Sequence, residues 1–267
     1  MNILIDNFAQ ILSLAKEYGL PVFKKRAILR EYLQTKVLEF ISQQKESSSF
    51  IFVGGTSLRL LRGMDRFSED LDFDLDVRIS FETVDELLAK IVNRFVKENI
   101  AAELYRNKKT DKTYYELRFP KLLSTLKLSS SRDEKLMIKL DFEKFWRGHK
   151  KEIVFVKRYG FLANIVSANL DNILIEKLTA YLRRKETQPR DLYDIIWLVS
   201  YGAKFDNRFA QKNKISRQLL EQVIKKYERE KNRLAIYKRR LRPFLFKEEN
   251  VEKLNFFPNV VNDLKAR

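Results

Sequence analysis

The chain has 267 residues, 45% of them apolar, enough for one large domain or two modest ones with real cores. With no cysteine and one histidine, His149, it excludes disulfide frameworks, thiolate metal sites and zinc sites that need two imidazoles. Its formal net charge of +17 points to a polyanionic partner.

The opening stretch MNILIDNFAQILSLAKEYGL carries apolar residues at helical spacing and lacks the basic start and small-residue cleavage site of a signal peptide. No apolar run reaches the length of a membrane span, so a soluble, cytoplasmic protein without membrane contact is expected. Residues 22–43 place apolar side chains at 28, 29, 32, 33, 37, 40 and 41, the pattern of an amphipathic helix. SSSFIFVGG reads as a short buried strand ending on glycines, and TSLRLLRGM as a helix start with Thr56 or Ser57 near its N-cap. EDLDFDLDV alternates strictly, as a strand does.

FETVDELLAKIVNRFVKENI predicts a helix, AAELYRN and KTYYELRFP two strands, and KLSSSRDE a loop. KLMIKLDFEKF alternates again, with Leu136, Ile138, Leu140 and Phe142 on one face and Met137, Lys139, Asp141 and Glu143 on the other. From about Leu170 the pattern is helical throughout: LDNILIEKLTAYLRRK, PRDLYDIIWLVSYG, SRQLLEQVIKKYEREKNRL and a last segment after Pro243. The expectation is an α+β fold: a mixed sheet flanked by helices over residues 1–168, then a basic helical bundle over 169–267.

Between Ala203 and Lys247 there are 15 Lys and Arg against 4 Asp and Glu, an excess of 11. Such a block is the footprint of a nucleic-acid binder, with Lys225, Lys226, Arg229, Lys238, Arg239 and Arg240 as its candidate contacts. The plainer alternative is a solvated face on charged helices.

Within this basic chain, Asp70, Asp72, Asp74 and Asp76 occupy every second position of one strand. Side chains two apart project to the same face about 6.6 Å apart, and two carboxylates at that distance repel by roughly 2–3 kcal/mol at an effective dielectric near 20. The row therefore needs water, basic partners or cations. One reading is a water-exposed edge strand paired with Lys and Arg. The other is a divalent-metal site, where hard oxygen ligands favour Mg2+ or Mn2+. The spacing lacks the glycine and terminal Glu of an EF-hand. Upstream, Gly54 and Gly55 allow close backbone approach and the following helix start offers free N–H groups, which together suit a phosphate. A phosphate turn and a metal strand within 25 residues describe a bound nucleoside triphosphate. Asp141, with Glu143 as the alternate, fits as the third acid of a two-metal site.

GGTSLRLLRGMDRFSEDLDFDL closely resembles the first motif of the DNA polymerase β-type nucleotidyltransferase superfamily, and its Arg66-Phe-Ser-Glu-Asp-Leu-Asp-Phe form is similar to the AbiEii/AbiGii toxins. EKLTAYLRRKETQPRDLYDIIWL resembles that family's helical motifs, a Lys before a basic pair and then Arg-Asp-x-x-Asp. The resemblance implies that Asp70, Asp72 and Asp141 ligate metals and that Gly54, Gly55 and Thr56 or Ser57 hold the triphosphate. It implies a phosphate-neutralising role for Lys177 and a catalytic role for Asp191. The other reading of Lys177, Arg184, Arg190, Asp191 and Asp194 is a helix-to-helix salt-bridge network, with Arg190–Asp194 as one pair.

His149 reads as a loop residue without a catalytic role, and Trp146 and Trp197 as core. Tyr105, Tyr114 and Tyr115 are able to stack on bases but read as packing residues. The expected function is a metal-dependent nucleotidyltransferase moving NMP from an NTP to an acceptor, RNA or tRNA by resemblance, as a toxin with a separately encoded antitoxin. The alternatives are a non-catalytic nucleic-acid-binding module on the same fold, or a metal-dependent nuclease.

Overall fold

The computed structural model describes residues 3–108 and 112–266. In chain order the elements are α1 (Ile3–Asp6), α2 (Phe8–Glu17), α3 (Lys25–Ser42), β1 (Phe50–Val53), α4 (Gly54–Arg62), β2 (Asp70–Leu75), α5 (Phe81–Lys97), β3 (Glu103–Lys108), β4 (Lys112–Phe119), α6 (Leu122–Thr125) and β5 (Leu136–Glu143). They continue with β6 (Lys151–Arg158), β7 (Phe161–Ala168), α7 (Leu170–Arg183), α8 (Pro189–Ser200), α9 (Asn207–Lys212), α10 (Leu219–Glu230), α11 (Leu234–Leu241) and α12 (Phe257–Ala266). The chain forms two compact units. The first runs to Gly63 and adds Phe67–Phe145 and Ile153–Ser167; the second takes Met64–Arg66, Trp146–Glu152 and the residues from Ala168.

The first unit is built on a seven-stranded mixed sheet in the order β3-β4-β5-β2-β1-β7-β6. β2 runs parallel to β5 on one side and antiparallel to β1 on the other, so the aspartate strand is interior and not an exposed edge. Alternation explains its place. Leu71 and Phe73 are buried, and Phe73 stacks on Phe142 of β5 with centroids 5.3 Å apart. The same apolar face continues through Phe52 and Tyr115, and Phe95 of α5 reaches it at Phe119. The opposite face carries the acids.

α3 is buried nearly all round, a wider contact than the amphipathic pattern predicted, and its polar side chains are paired accordingly. Glu31 accepts from Arg59 Nε of α4 at 2.8 Å, from Arg158 Nε at 2.9 Å and from the Tyr159 hydroxyl at 3.2 Å. Burial pushes the Glu31 carboxyl up, but Arg59 and Arg158 together more than reverse this and hold it below the usual carboxylate range. A buried charge persists only when matched in this way, and here the match pins α4 against α3.

Two local features differ from the sequence reading. α4 begins at Gly54, not at Thr56 or Ser57. Val53, in extended backbone, is the N-cap and supplies no side-chain cap, and the two hydroxyl residues lie buried inside the first turn. The β6–β7 hairpin has no counterpart in the predicted elements. Its turn residues Tyr159 and Gly160 have φ of 51° and 84°, the paired left-handed conformation that two-residue hairpins require.

The second unit is helical. α8 packs against α7, α11 and α12, and α10 against α7 and α12. Asn169 caps α7 by accepting from the Asn172 N–H, Pro189 sits in the first turn of α8, and Asp206 caps α9. Phe257 of α12 packs on Tyr181 and Tyr227, centroids 5.5 and 5.1 Å away. Trp197 is buried and stacks on Tyr201; Trp146 stacks on Phe209. His149 lies in a loop, its side chain only 2% exposed, with Nε2 2.9 Å from Glu176 Oε1. Among the described residues, no helix is long and apolar enough to cross a membrane.

Candidate active site

In the first unit the register brings the predicted acids together. Asp72 stands opposite Asp141 and Asp74 opposite Glu143 across the parallel β2–β5 pair, while Asp70 faces Lys139. Paired residues on adjacent strands share a face and have Cα atoms about 5 Å apart, so Asp70, Asp72 and Asp141 stand on one face of the sheet. Asp141, not Glu143, is level with the Asp70–Asp72 pair. Lys139 Nζ donates to Asp141 Oδ2 at 2.9 Å. The row of four does not act as a unit: Asp74 is buried, and Asp76, past the end of β2, accepts from Arg78 Nε at 2.9 Å.

The glycine turn presses against this cluster. Gly54 has φ +75°, and a Cβ added there would meet the Asp72 carboxylate, its Cγ at 2.9 Å. Only glycine lets the backbone come so close. Thr56 donates its hydroxyl to the Asp70 carbonyl, and Ser57 donates to the Gly54 carbonyl at 2.9 Å. Both hydroxyls therefore tie the first turn of α4 to itself and to β2. Gly55 begins the run of backbone N–H groups that this arrangement sets beside the aspartates.

These residues fit a divalent cation. The three carboxylates are hard oxygen donors on one face of the sheet, the donor chemistry that suits Mg2+ or Mn2+, and Gly54 lets the Asp72 carboxylate sit against the backbone at the start of α4.

Lys177, Asp191 and Asp194 belong to the second unit, where they form a buried network. Lys177 Nζ lies 2.9 Å from Asp194 Oδ2 and 3.4 Å from Asp191 Oδ1. Arg66 grips Asp194 with two hydrogen bonds of 2.7 Å. Burial pulls the Lys177 ammonium down, but Asp194 and Asp191 override it and leave it above the usual lysine value. Asp194 is the mirror case: burial pushes it up, and Arg66 and Lys177 take it below the carboxylate range. Arg184 Nη1 stands 3.3 Å from Asp191 Oδ2, outside hydrogen-bond geometry, so that buried oxygen has a charge partner and no hydrogen bond. The expected Arg190–Asp194 pair is not the arrangement found. Arg66 fills that place, and Arg190 lies over the Phe244 ring at 4.8 Å. The sequence assigns Arg66 no role of its own, although it opens the Arg66-Phe-Ser-Glu-Asp-Leu-Asp-Phe form on which the family resemblance rests.

The six basic candidates divide in two. Lys226 donates to the Tyr181 and Arg184 carbonyls at 2.7 and 2.8 Å and so closes the end of α7. Lys238 pairs with Glu252 and Arg240 with Glu186, both at 2.6 Å. Among the described residues, Lys225, Arg229 and Arg239 make no ion pair. Lys225 and Arg229, one turn apart on α10, line a cavity of about 450 Å3 with Leu182, Gln222, Lys226 and Glu230.

The model of the family described as nucleotidyl transferase AbiEii toxin, Type IV TA system, matches residues 36–263. No curated protein matches the sequence. Among solved structures, the fold is similar to a candidate nucleotidyltransferase from Helicobacter pylori (TM-score 0.57, 18% identity, 90% of this chain and 96% of that one). It is also similar to JHP933 from Helicobacter pylori (TM-score 0.54, 19% identity, 90% and 94%).

Proposed function

Because the chain belongs to the AbiEii family of nucleotidyl transferase toxins, we propose that it moves a nucleoside monophosphate from an NTP to a hydroxyl of an acceptor RNA, tRNA being the first to test. It would act in the cytoplasm as the toxin of a pair whose antitoxin is a separate chain. The observation that carries the reading is the register of Asp72 against Asp141, with Gly54 packed on Asp72. A binding module that grips a polyanion gains nothing from clustered acids, which would repel it.

Asp70, Asp72 and Asp141 hold Mg2+ or Mn2+, which when bound neutralises phosphate charge and makes the acceptor hydroxyl more acidic. The remaining steps use the chain's own groups. The first turn of α4, from Gly54 through Gly55, Thr56 and Ser57, presents backbone N–H donors to the triphosphate. The acceptor oxygen attacks the α-phosphorus and its proton passes to Asp141, whose other oxygen Lys139 steadies. The bond from the α-phosphorus to the bridging oxygen breaks, and pyrophosphate leaves with that electron pair. Lys177, kept protonated by its two aspartates, carries the phosphate-neutralising role that the family resemblance implies, with Asp191 holding it.

The RNA backbone is assigned to Lys225 and Arg229 in preference to Lys238 and Arg240, whose charges are already matched. Each phosphate contact contributes roughly 0.7–0.9 to the slope of log affinity against log salt. A Lys225→Ala/Arg229→Ala variant is therefore expected to lower that slope by about 1.5. Lys238→Ala/Arg240→Ala should change it by less than half as much; equal effects would remove the assignment.

Transfer itself is tested by incubating the protein with each α-labelled NTP and total tRNA in Mg2+. Label in RNA that disappears with a chelator and returns with excess Mg2+ is the expected result. Absence of label with every NTP, on tRNA and on total RNA, would overturn the reading in favour of a binding module. Shortening of the RNA would favour a nuclease.

A further inference from the structure

One strand beyond Asp141 the acid-bearing face of the sheet changes character. Thr113, Tyr115, Leu117 and Phe119 of β4 are buried toward the helices, so Tyr114, Glu116 and Arg118 are displayed on the other side. Tyr114 is directly opposite Asp141 in the β4–β5 register. Tyr105 of β3, 46% exposed, is opposite Glu116 and thus a diagonal neighbour of Tyr114. Lys139 Nζ stands 4.8 Å from the centre of the Tyr114 ring, and the Arg118 guanidinium 4.8 Å from the centre of Tyr105. Met137, 41% exposed, lies opposite Arg118. Tyr115, by contrast, is buried on the far face with its hydroxyl on Asp85 at 2.6 Å, and belongs to the core.

Two displayed tyrosines, each backed by a cation, leading directly to a carboxylate cluster, make a surface for flat, electron-rich rings. The charges on this face exclude a phosphate track. Arg118 is paired with Glu116 at 2.9 Å and Lys135 with Glu103 at 2.8 Å, so the acids balance the bases. Base faces suit such a surface; phosphates do not.

Resting on the transfer reading above, we propose that this platform binds the single-stranded 3′ end of the acceptor RNA. The bases stack on Tyr114 and Tyr105, and the terminal hydroxyl is delivered to Asp141. Diagonal neighbours on paired strands are roughly 7–8 Å apart, within reach of two successive nucleotides of an extended chain. Recognition by stacking tolerates any sequence but requires unpaired nucleotides. The acceptor class is therefore an RNA with a 3′ overhang, and blunt duplex ends are refused.

The test uses the full chain without NTP and two fluorescent RNA hairpins with one stem, one blunt and one carrying a four-nucleotide 3′ overhang. Wild type should bind the overhang hairpin at least about fivefold more tightly, the low end of a stacking contribution. Tyr105→Ala and Tyr114→Ala together should erase that preference while leaving blunt-hairpin affinity unchanged, and Tyr105→Phe/Tyr114→Phe should restore it. Tyr105→Ala alone, at the more exposed position, should lower the preference even if the Tyr114 change perturbs folding. Equal binding of both hairpins by wild type, or a preference surviving in the double alanine variant, overturns the platform. A tyrosine-dependent preference in a protein that transfers no nucleotide upholds the platform and removes the transfer reading. Label transfer with unchanged acceptor KM in the alanine variants does the reverse.

Discussion

An Asp72→Asn variant is expected to lose at least about 10³-fold in transfer and, in the absence of divalent cation, to melt above the wild type. Asp72 is central to the carboxylate cluster. Asp70 lies two residues away on the same face, and Asp141 is directly across the β2–β5 pair. Removing the middle charge relieves both repulsions without changing the shape, and in this half-exposed, solvent-screened position the relief is worth about 1 kcal/mol. The same neutralisation removes one of the three carboxylates that would hold Mg2+ or Mn2+ on the proposed reading. A loss of several kcal/mol of transition-state stabilisation corresponds to the stated factor. Mg2+ provides the cross-check. On the proposed reading it binds these acids only in the folded state, so it should raise the melting temperature of wild type and barely move the variant. A variant that keeps its Mg2+-dependent shift would show that these acids do not hold the cation. Because the Mg2+-dependent shift is read on the folded protein, a general folding defect cannot mimic its loss.

Much of that cluster is legible in the amino-acid sequence, for a physical reason. Strict alternation is a strong signal, and both EDLDFDLDV and KLMIKLDFEKF put their apolar residues on one face and their polar residues on the other, although Asp74 and Asp141 on the polar face are buried too. What alternation does not carry is which strand neighbours which. That β2 and β5 pair in parallel, putting Asp141 and not Glu143 level with Asp72, depends on long-range register. The start of α4 departs from expectation because capping chemistry favours Thr56 or Ser57, whereas the close packing of Gly54 on Asp72 moves the helix start upstream. The β6–β7 hairpin is hidden in the sequence because its outer positions carry Ile153, Phe155 and Leu162, which are exposed and blur the polar–apolar alternation. The basic block is visible as charge, but matching depends on neighbours distant in sequence. Glu186 and Glu252 claim Arg240 and Lys238, while Lys225 and Arg229 make no pair among the described residues.

The second large effect is expected at Asp194, and it separates structure from catalysis in the Lys177 network. Asp194 is fully buried between Arg66, which grips it with two hydrogen bonds, and Lys177. An Asp194→Asn variant keeps the shape but leaves two cations in the interior facing a neutral amide, which should cost about 3–5 kcal/mol at neutral pH. The pH dependence follows from the directions of the shifts. Asp194 is held below its ordinary value, so its contribution is fully present above the unfolded carboxylate pKa and lost as pH falls through the folded one. Lys177 is held above its ordinary value, so its contribution is full below the unfolded lysine pKa and lost as pH rises through the folded one. Urea unfolding should therefore show a constant gap between wild type and variant from about pH 5 to 9, shrinking below about pH 4. A gap under 1 kcal/mol at pH 7 would mean that the network contributes little to stability. Lys177→Met then isolates the lysine. It leaves Asp194 with Arg66 and Asp191 with Arg184, so it should cost less stability than Asp194→Asn, and in the Asp194→Asn background it should recover part of the loss. If Lys177→Met nonetheless abolishes transfer while the protein remains folded, the ammonium serves the reaction. If transfer falls only in step with the folded fraction, Lys177 is a strut for the two aspartates, and the leaving group must draw its positive charge from the α4 N-terminus and the bound cations.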